Sequence, residues 1–340
     1  MSAPTVQFGT GTTVKDYAWY REWLRVGEGA GFDLLSTGDS QSLWADPFVS
    51  MTVAAMETTR PRIGVTVSNP MTRHPAVVAS ALSAIQQLAD GRAIYGLSSG
   101  DSALRNIGVR PATVAELDEF GRAVKGLCDG DTVDYQGTSL VQRWEARHVP
   151  LWMAAEGPRT QRLAGQIADG VVLSNALTRD TYELACDTVR AGAEEAGRSM
   201  DDIEVWCMAA VCLADTEADG IHQLRFQLAG TANHVYRFHM DGKALPEELK
   251  PKIEELQRHY DSRHHASRET ADHNAALVER LGLIDFLAAR SVLAGPPERV
   301  VERIHEVVEA GPRNLLMSQF VVDQLGFMRT FEEKILPAFR

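Results

Sequence analysis

Short apolar runs, each closed by a polar loop punctuated with glycine or proline, recur along the whole chain. They are Val6-Gln7-Phe8-Gly9, Phe32-Asp33-Leu34-Leu35-Ser36, Ile63-Gly64-Val65-Thr66-Val67, Ala93-Ile94-Tyr95-Gly96-Leu97, Leu151-Trp152-Met153-Ala154, Gly170-Val171-Val172-Leu173, Ile203-Glu204-Val205-Trp206-Cys207-Met208 and Asn314-Leu315-Leu316-Met317. Runs of this length with little alternation read as strands buried on both faces. Between most of them apolar residues return at three- and four-residue steps, as in Val77, Leu82, Ile85 and Leu88, or Val300, Ile304, Val307 and Val308, which predicts amphipathic helices. Strand alternating with helix predicts a parallel sheet. Eight such repeats in 340 residues predict a (β/α)8 TIM barrel as one domain over residues 1–340, with room for insertions. The largest insertion, residues 216–291, follows the seventh strand, is rich in charge and histidine, and reads as mainly helical. Gly295-Pro296-Pro297-Glu298 then restarts the barrel pattern with a helix-start signal. A smaller insertion, Gly130 to His148, carries Thr132-Val133-Asp134-Tyr135-Gln136-Gly137 and predicts a small hairpin before the fifth strand.

Two loops stand out. Ser68-Asn69-Pro70-Met71-Thr72-Arg73-His74-Pro75 follows the third strand, and Ser99-Gly100-Asp101-Ser102-Ala103 follows the fourth. Parallel α/β folds place their chemistry at the carboxyl ends of the strands, so both loops are expected at a functional mouth.

Composition narrows the function. The formal net charge of −12 argues against sequence-independent nucleic-acid binding, which needs a basic face to displace counterions. No apolar run reaches the length of a membrane span, and the N-terminus has no signal-peptide pattern, so no membrane partner and a cytoplasmic location are expected. Cys128, Cys186, Cys207 and Cys212 form no Cys-x-x-Cys pair and are expected to act as small hydrophobes without a redox role.

Several motifs resolve into bland readings. Gly96-Leu97-Ser98-Ser99-Gly100 matches a nucleophile elbow, but Asn106-Ile107-Gly108-Val109-Arg110-Pro111 interrupts the long helix that a hydrolase needs there, so a loop is expected. Gly27-Glu28-Gly29-Ala30-Gly31 resembles part of a dinucleotide fingerprint but ends a helix and leads into a strand, the reverse of the required order. His259, His264, His265 and His273 crowd one polar segment; they read as a solvated helical face, and no metal is expected. His74 is expected to cap or brace its loop, and Met208 and Met317 to pack in the core.

With these residues in view the chain resembles the luciferase-like flavin- and deazaflavin-dependent oxidoreductases, nearest the branch of methylenetetrahydromethanopterin reductase. The resemblance rests on Ser68 to Pro75, Gly91-Arg92, Gly100-Asp101-Ser102-Ala103, Ala154-Ala155-Glu156-Gly157-Pro158, Ala164-Gly165-Gln166-Ile167-Ala168-Asp169-Gly170 and Ile335-Leu336-Pro337-Ala338-Phe339, and covers nearly the whole chain.

That resemblance implies a site. Relatives carry a non-prolyl cis peptide in a bulge ending the third strand, which would fall near Thr66-Val67-Ser68 and, with Asn69, press on the cofactor ring. The cofactor phosphate would sit after the fifth strand, at Ala155, Glu156, Gly157 and Pro158, where a glycine and a helix start favour an anion. Gly100, Asp101 and Ser102 would line the cofactor, and Asp39 matches an acid near the polar edge of the ring. Deazaflavin-dependent alcohol dehydrogenases of the superfamily have a histidine next to that acid, whereas this chain has Ser40, a poor proton acceptor that still donates or relays. Asp39 and Ser40 are therefore the expected catalytic pair, with Trp44 and His239, together with His234 and Tyr236, as the substrate wall.

The resemblance also implies two cofactors with different chemistry. Coenzyme F-420, an 8-hydroxy-5-deazaflavin, would make the protein a hydride-transfer enzyme; reduced FMN would make it a two-component monooxygenase served by a separate flavin reductase. The first is preferred, since Thr72-Arg73-His74-Pro75 with Gly100-Asp101-Ser102-Ala103 looks most like the reductase branch. A third reading, from another class, is a catalytically inert barrel subunit paired with a different chain; Gly157 and Pro158 argue against it. A homodimer acting on a small-molecule substrate is expected by resemblance.

Overall fold

The computed structural model describes residues 6–261, 272–319 and 323–340. Eleven strands occur among them: β1 (Gln7–Thr12), β2 (Leu34–Thr37), β3 (Arg62–Ser68), β4 (Ala93–Leu97), β5 (Val133–Tyr135), β6 (Thr138–Leu140), β7 (Leu151–Ala154), β8 (Gly170–Leu173), β9 (Glu204–Leu213), β10 (Val292–Gly295) and β11 (Asn314–Gln319). Strands β1, β2, β3, β4, β7, β8, β9 and β11 pair in parallel in that order, and β11 returns to β1, closing an eight-stranded barrel. These are the eight apolar runs of the sequence. β5 and β6 form the small antiparallel hairpin expected before the fifth barrel strand.

Around the barrel run α1 (Tyr17–Gly29), α2 (Pro47–Glu57), α3 (Pro75–Leu88), α4 (Ser102–Arg105), α5 (Val114–Asp129), α6 (Pro158–Ile167) and α7 (Arg179–Glu195). The insertion contributes α8 (Glu217–Gln223), α9 (Arg225–Tyr236), α10 (Lys250–His259), α11 (Asp272–Arg280) and α12 (Ile284–Ser291). The chain closes with α13 (Pro297–Ala310) and α14 (Gln324–Thr330). Local chemistry explains several starts. His74 caps α3 by accepting from the Ala76 amide at 3.3 Å, with Pro75 at the first helical position. Thr113 and Glu116 form a reciprocal capping box on α5. Pro297 opens α13 as the Gly-Pro-Pro-Glu signal predicts. After α1, Gly31 turns the chain toward β2 at φ +79°, so the glycine run there ends a helix.

The lumen is filled from below. Trp152 and Trp206 stand in its centre with ring centroids 5.4 Å apart, surrounded by Leu34, Ile94, Val172 and Leu316. Neighbouring strands make room for them: a Cβ on Gly170 would lie 2.6 Å from the Trp152 ring, and one on Gly9 3.0 Å from the Trp206 ring. Below the indoles, Arg62 lies over both rings, and its Nη1 donates to both carboxylate oxygens of Glu204 at 2.9 and 2.8 Å. The amino-terminal end is thus plugged by packing and charge, as in barrels whose chemistry lies at the opposite face.

β10 was not foreseen. It adds in parallel to the upper half of β9, at Ala210–Leu213, above the stretch where β8 pairs with β9. A second apolar cluster, with Leu228, Tyr236, Ile253, Leu256 and Val278 at its centre, packs the insertion onto Ala210, Cys212, Val292 and Ala294 of these two strands. The insertion is therefore seated on the mouth through β9 and β10. Its position brings α9 over the loops that follow β4 and β7.

Candidate active site at the barrel mouth

On the side of β1 to β3, the floor of the mouth consists of small side chains. Gly11, Ser36 and Thr66 lie on adjacent strands; Thr66 Oγ1 donates to Ser36 Oγ at 2.8 Å, and a Cβ on Gly11 would come within 2.8 Å of that same Ser36 oxygen. Met208 joins the floor from β9 and accepts a weak hydrogen bond from Ser174 Oγ at 3.5 Å. Met317, by contrast, is fully buried in the outer layer. Between Val65 and Ser68 the pairing of β3 with β4 shifts register, and the Thr66–Val67 peptide in this bulge is cis. The cis bond falls where the sequence comparison located it.

Asp39 and Ser40 follow β2, and both are buried. Ser68 Oγ donates to Asp39 Oδ2 at 2.6 Å, and Arg73 Nη1 donates to the same oxygen at 2.7 Å. Arg73 reaches onward to Asp46 at 2.8 Å and lies over the Phe48 ring. Burial by itself would lower the Arg73 guanidinium, but Asp39 and Asp46 outweigh it and the net shift is upward. Asp39 Oδ1 is buried and has no hydrogen-bond partner among the described residues. Ser40 Oγ meets Ser102 Oγ at 3.0 Å, which ties the β2 loop to the β4 loop. Asn69 Oδ1 accepts from the Met71 and Thr72 amides, so its side chain shapes the Ser68 to Pro75 loop. Gly100 sits at φ +86°, where any Cβ would also strike Leu104.

Across the mouth, Gly157 is the N-cap of the ten-residue α6, Pro158 is its first residue, and Ala155 is buried just before them. The Lys243 side chain of the insertion lies over Gly157, its Cε 3.4 Å from where a Cβ would be. Glu156, Gln161, Ser174, Asn175 and Lys243 line a small polar cavity of about 30 Å³, room for one water. Burial raises the Glu156 carboxyl against the opposing pull of Ser174, Lys243 and Arg237. Burial likewise lowers the Lys243 ammonium, with Glu156 opposing.

The expected residues thus form two groups. Asp39, Ser40, Thr66, Val67, Ser68, Asn69, Gly100, Asp101 and Ser102 come from the consecutive loops of β2, β3 and β4; Ala155, Glu156, Gly157 and Pro158 stand at the start of α6. Trp44 packs its ring over Gly38 in the same β2 loop. His239 is exposed past the end of α9, and no contact ties it to Asp39 or Ser40. Of the insertion residues the sequence singled out, His234 is the one near the β4 loop, with Nδ1 3.9 Å from Asp101, while Tyr236 is buried and receives a bond from Asn175. His273 contacts the His259 backbone carbonyl; His264 and His265 lie outside the described residues. All four cysteines are buried free thiols. Reading the loops one at a time missed the partners that link them: Arg73 to Asp39, Arg237 to Asp101 and Lys243 to Gly157.

The family model for luciferase-like monooxygenases matches residues 1–314. A 5,10-methylenetetrahydromethanopterin reductase from Methanopyrus kandleri is 26% identical, covering 93% of each chain. An F-420-dependent glucose-6-phosphate dehydrogenase from Nakamurella multipartita is 24% identical over 100% of this chain and 98% of its own. In fold, the chain is similar to the coenzyme F-420-dependent tetrahydromethanopterin reductase of Methanopyrus kandleri, with a TM-score of 0.79 and 21% identity over 99% of this chain and 100% of that one.

Proposed function

The chain belongs to the luciferase-like monooxygenase family of oxidoreductases, and from that premise we propose that it transfers hydride between coenzyme F-420 and a small organic molecule at the mouth of its barrel. The observation that carries this reading is the Asp39 carboxylate, held through one oxygen by Ser68 and Arg73 while the other oxygen is buried without a partner among the described residues, beside a floor of small side chains.

The residues suit such a group. A flavin or deazaflavin ring is flat and carries N–H donors on one edge; Gly11, Ser36 and Thr66 leave a floor without bulk, and Asp39 Oδ1 is a buried acceptor in need of a donor. Gly157 leaves the backbone at the start of α6 open to a phosphate, and Lys243 stands over it. Gly100, Asp101 and Ser102 flank the tail, and Val67 and Asn69 the ring. A bound reduced deazaflavin would supply a hydride, with carbon in place of the ring's reactive nitrogen and hence little reaction with oxygen. Asp39 then acts as an acceptor that orients, fixed by Arg73 and Ser68. Ser40 and Ser102 share one hydrogen bond, so a proton delivered to one hydroxyl is relayed to the other without a strong base. Trp44 and His239 remain the proposed substrate wall.

The curated relatives named for F-420 or tetrahydromethanopterin support the deazaflavin. The family's own description favours a second reading, an FMN-dependent monooxygenase that receives reduced FMN from a separate reductase. Equilibrium binding of F-420 and of FMN to the purified protein separates the two. We also infer a homodimer. Val49 and Met56 on α2 and Val77 and Leu88 on α3 are exposed apolar side chains on two helices that pack together, and such patches mark interfaces.

A further inference from the structure

The mouth holds a second charged cluster, around Asp101, in which the preceding reading gives Arg237 no role. Asp101 of the β4 loop pairs with Arg105 of α4 and, at 2.8 Å, with Nη1 of Arg237, the residue that ends α9 of the insertion. His234 stands one turn earlier, with Nδ1 3.9 Å from the same carboxylate. Glu156 and Lys243 are the next charges around Arg237. Arg105, Arg237 and His234 thus gather on Asp101, while Arg237 and Lys243 both act on Glu156.

Arg237 itself is built to hold something. Its guanidinium stacks on the exposed Phe238 ring at 4.6 Å and is anchored through Nη1, while Nε is buried and has no hydrogen-bond partner among the described residues. The side chain keeps 17% exposure. Nε and the adjacent Nη2 form the edge through which a guanidinium takes two oxygens of one anion. We propose that Arg237 recognises an anionic group, a carboxylate or phosphate, on the molecule that enters the mouth. This rests on the mouth being the cofactor and substrate site. It makes the insertion the carrier of specificity: Arg237 is preoriented by Asp101 and Phe238 and reads charge on a ligand lying between β4 and α9.

The anion has two possible sources, the cofactor's own tail or the substrate. The test uses wild-type protein, Arg237→Leu and Arg237→Lys, with thermal unfolding as the folding control. In the first arm, affinities for FMN and riboflavin, and for F-420 and its phosphate-free riboside, give the discrimination for the phosphate-bearing cofactor. In the second, inorganic phosphate is titrated into each protein with and without saturating cofactor. Arg237→Leu is expected to lose about tenfold in one arm, with Arg237→Lys falling between it and the wild type, because a point charge replaces a two-point contact. Loss in the first arm assigns the anion to the cofactor, loss in the second to the substrate. Variants that stay folded and match the wild type in both arms overturn the proposal. If Arg237→Leu fails to fold, Arg237→Lys decides: phosphate and cofactor affinities equal to the wild type overturn it. Wild-type protein that binds neither cofactor defeats the cofactor reading instead, and the cofactor-free phosphate titration still tests Arg237.

Discussion

Arg73 Nη1 lies 2.7 Å from Asp39 Oδ2 although the two residues are 34 positions apart. The contact joins the loop after β2 to the loop after β3. The Asp39 side chain is entirely shielded from solvent, and Arg73 and Ser68 are the partners of its carboxylate. Arg73→Met is expected to lose about 3–5 kcal/mol of stability, the cost of leaving a buried charge without its partner. Asp39→Asn in the same chain is expected to recover part of that loss. Denaturant unfolding of the two single variants and the double variant checks this; additive losses would mean the pair is not coupled.

The Ser40–Ser102 bond predicts a kinetic signature. Removing either hydroxyl, by Ser40→Ala or Ser102→Ala, is expected to lower kcat by about 10²-fold, the lower range for a group that moves a proton, with the melting temperature nearly unchanged. The double variant is expected to be no slower than either single one, because the relay needs both oxygens. Multiplicative effects in turnover measurements would argue for two independent roles.

Helices α6 and α7 meet backbone to backbone. A Cβ on Gly165 would lie 2.0 Å from the Val189 carbonyl oxygen, and one on Gly192 2.0 Å from that of Arg162. Either glycine to alanine change is expected to cost about 1–3 kcal/mol or more, since no side chain can rotate away to relieve the clash. It would also displace the start of α6 and weaken cofactor affinity. Thermal unfolding with cofactor titration tests both effects.

The Glu156 carboxyl is raised by burial, and the sign of its linkage follows. Both states are protonated well below the usual carboxylate range, so there it costs nothing; as pH rises through the unfolded value the unfolded chain ionises first, and stability falls until the folded carboxyl has also ionised. Glu156→Gln is expected to remove that loss. Its advantage in melting temperature over the wild type should be absent below the carboxylate range and grow as pH rises above it. An advantage that does not change with pH would place the effect elsewhere.

On the outer face, Met56→Glu with Val77→Glu is expected to convert a dimer to monomer without loss of fold, read by sedimentation and circular dichroism. A wild-type protein that sediments as a monomer would contradict the inferred homodimer.

The eight barrel strands were legible because each is a short apolar run with its own loop, and the helix starts because Pro75, Pro158 and Pro297 stand where a missing N–H costs nothing. β10 was not, because Val292-Leu293-Ala294-Gly295 continues directly from α12 with no polar loop to set it off. The linking contacts were hidden for another reason. Asp101 and Arg237 are 136 positions apart, and charge patterning along a chain does not say which loop of a closed barrel the insertion will cover. His239 was chosen by its place in the insertion, yet it is Arg237 and His234 that reach the β4 loop.

The most direct test of hydride transfer is anaerobic titration of the purified protein with reduced coenzyme F-420 and, separately, reduced FMN, followed by oxygen with absorbance recorded throughout. Saturable binding of reduced F-420, much weaker binding of reduced FMN and no rapid oxygen-dependent change are the expected results. Tight binding of reduced FMN with a rapid reaction on admitting oxygen, or no binding of either cofactor, would contradict it.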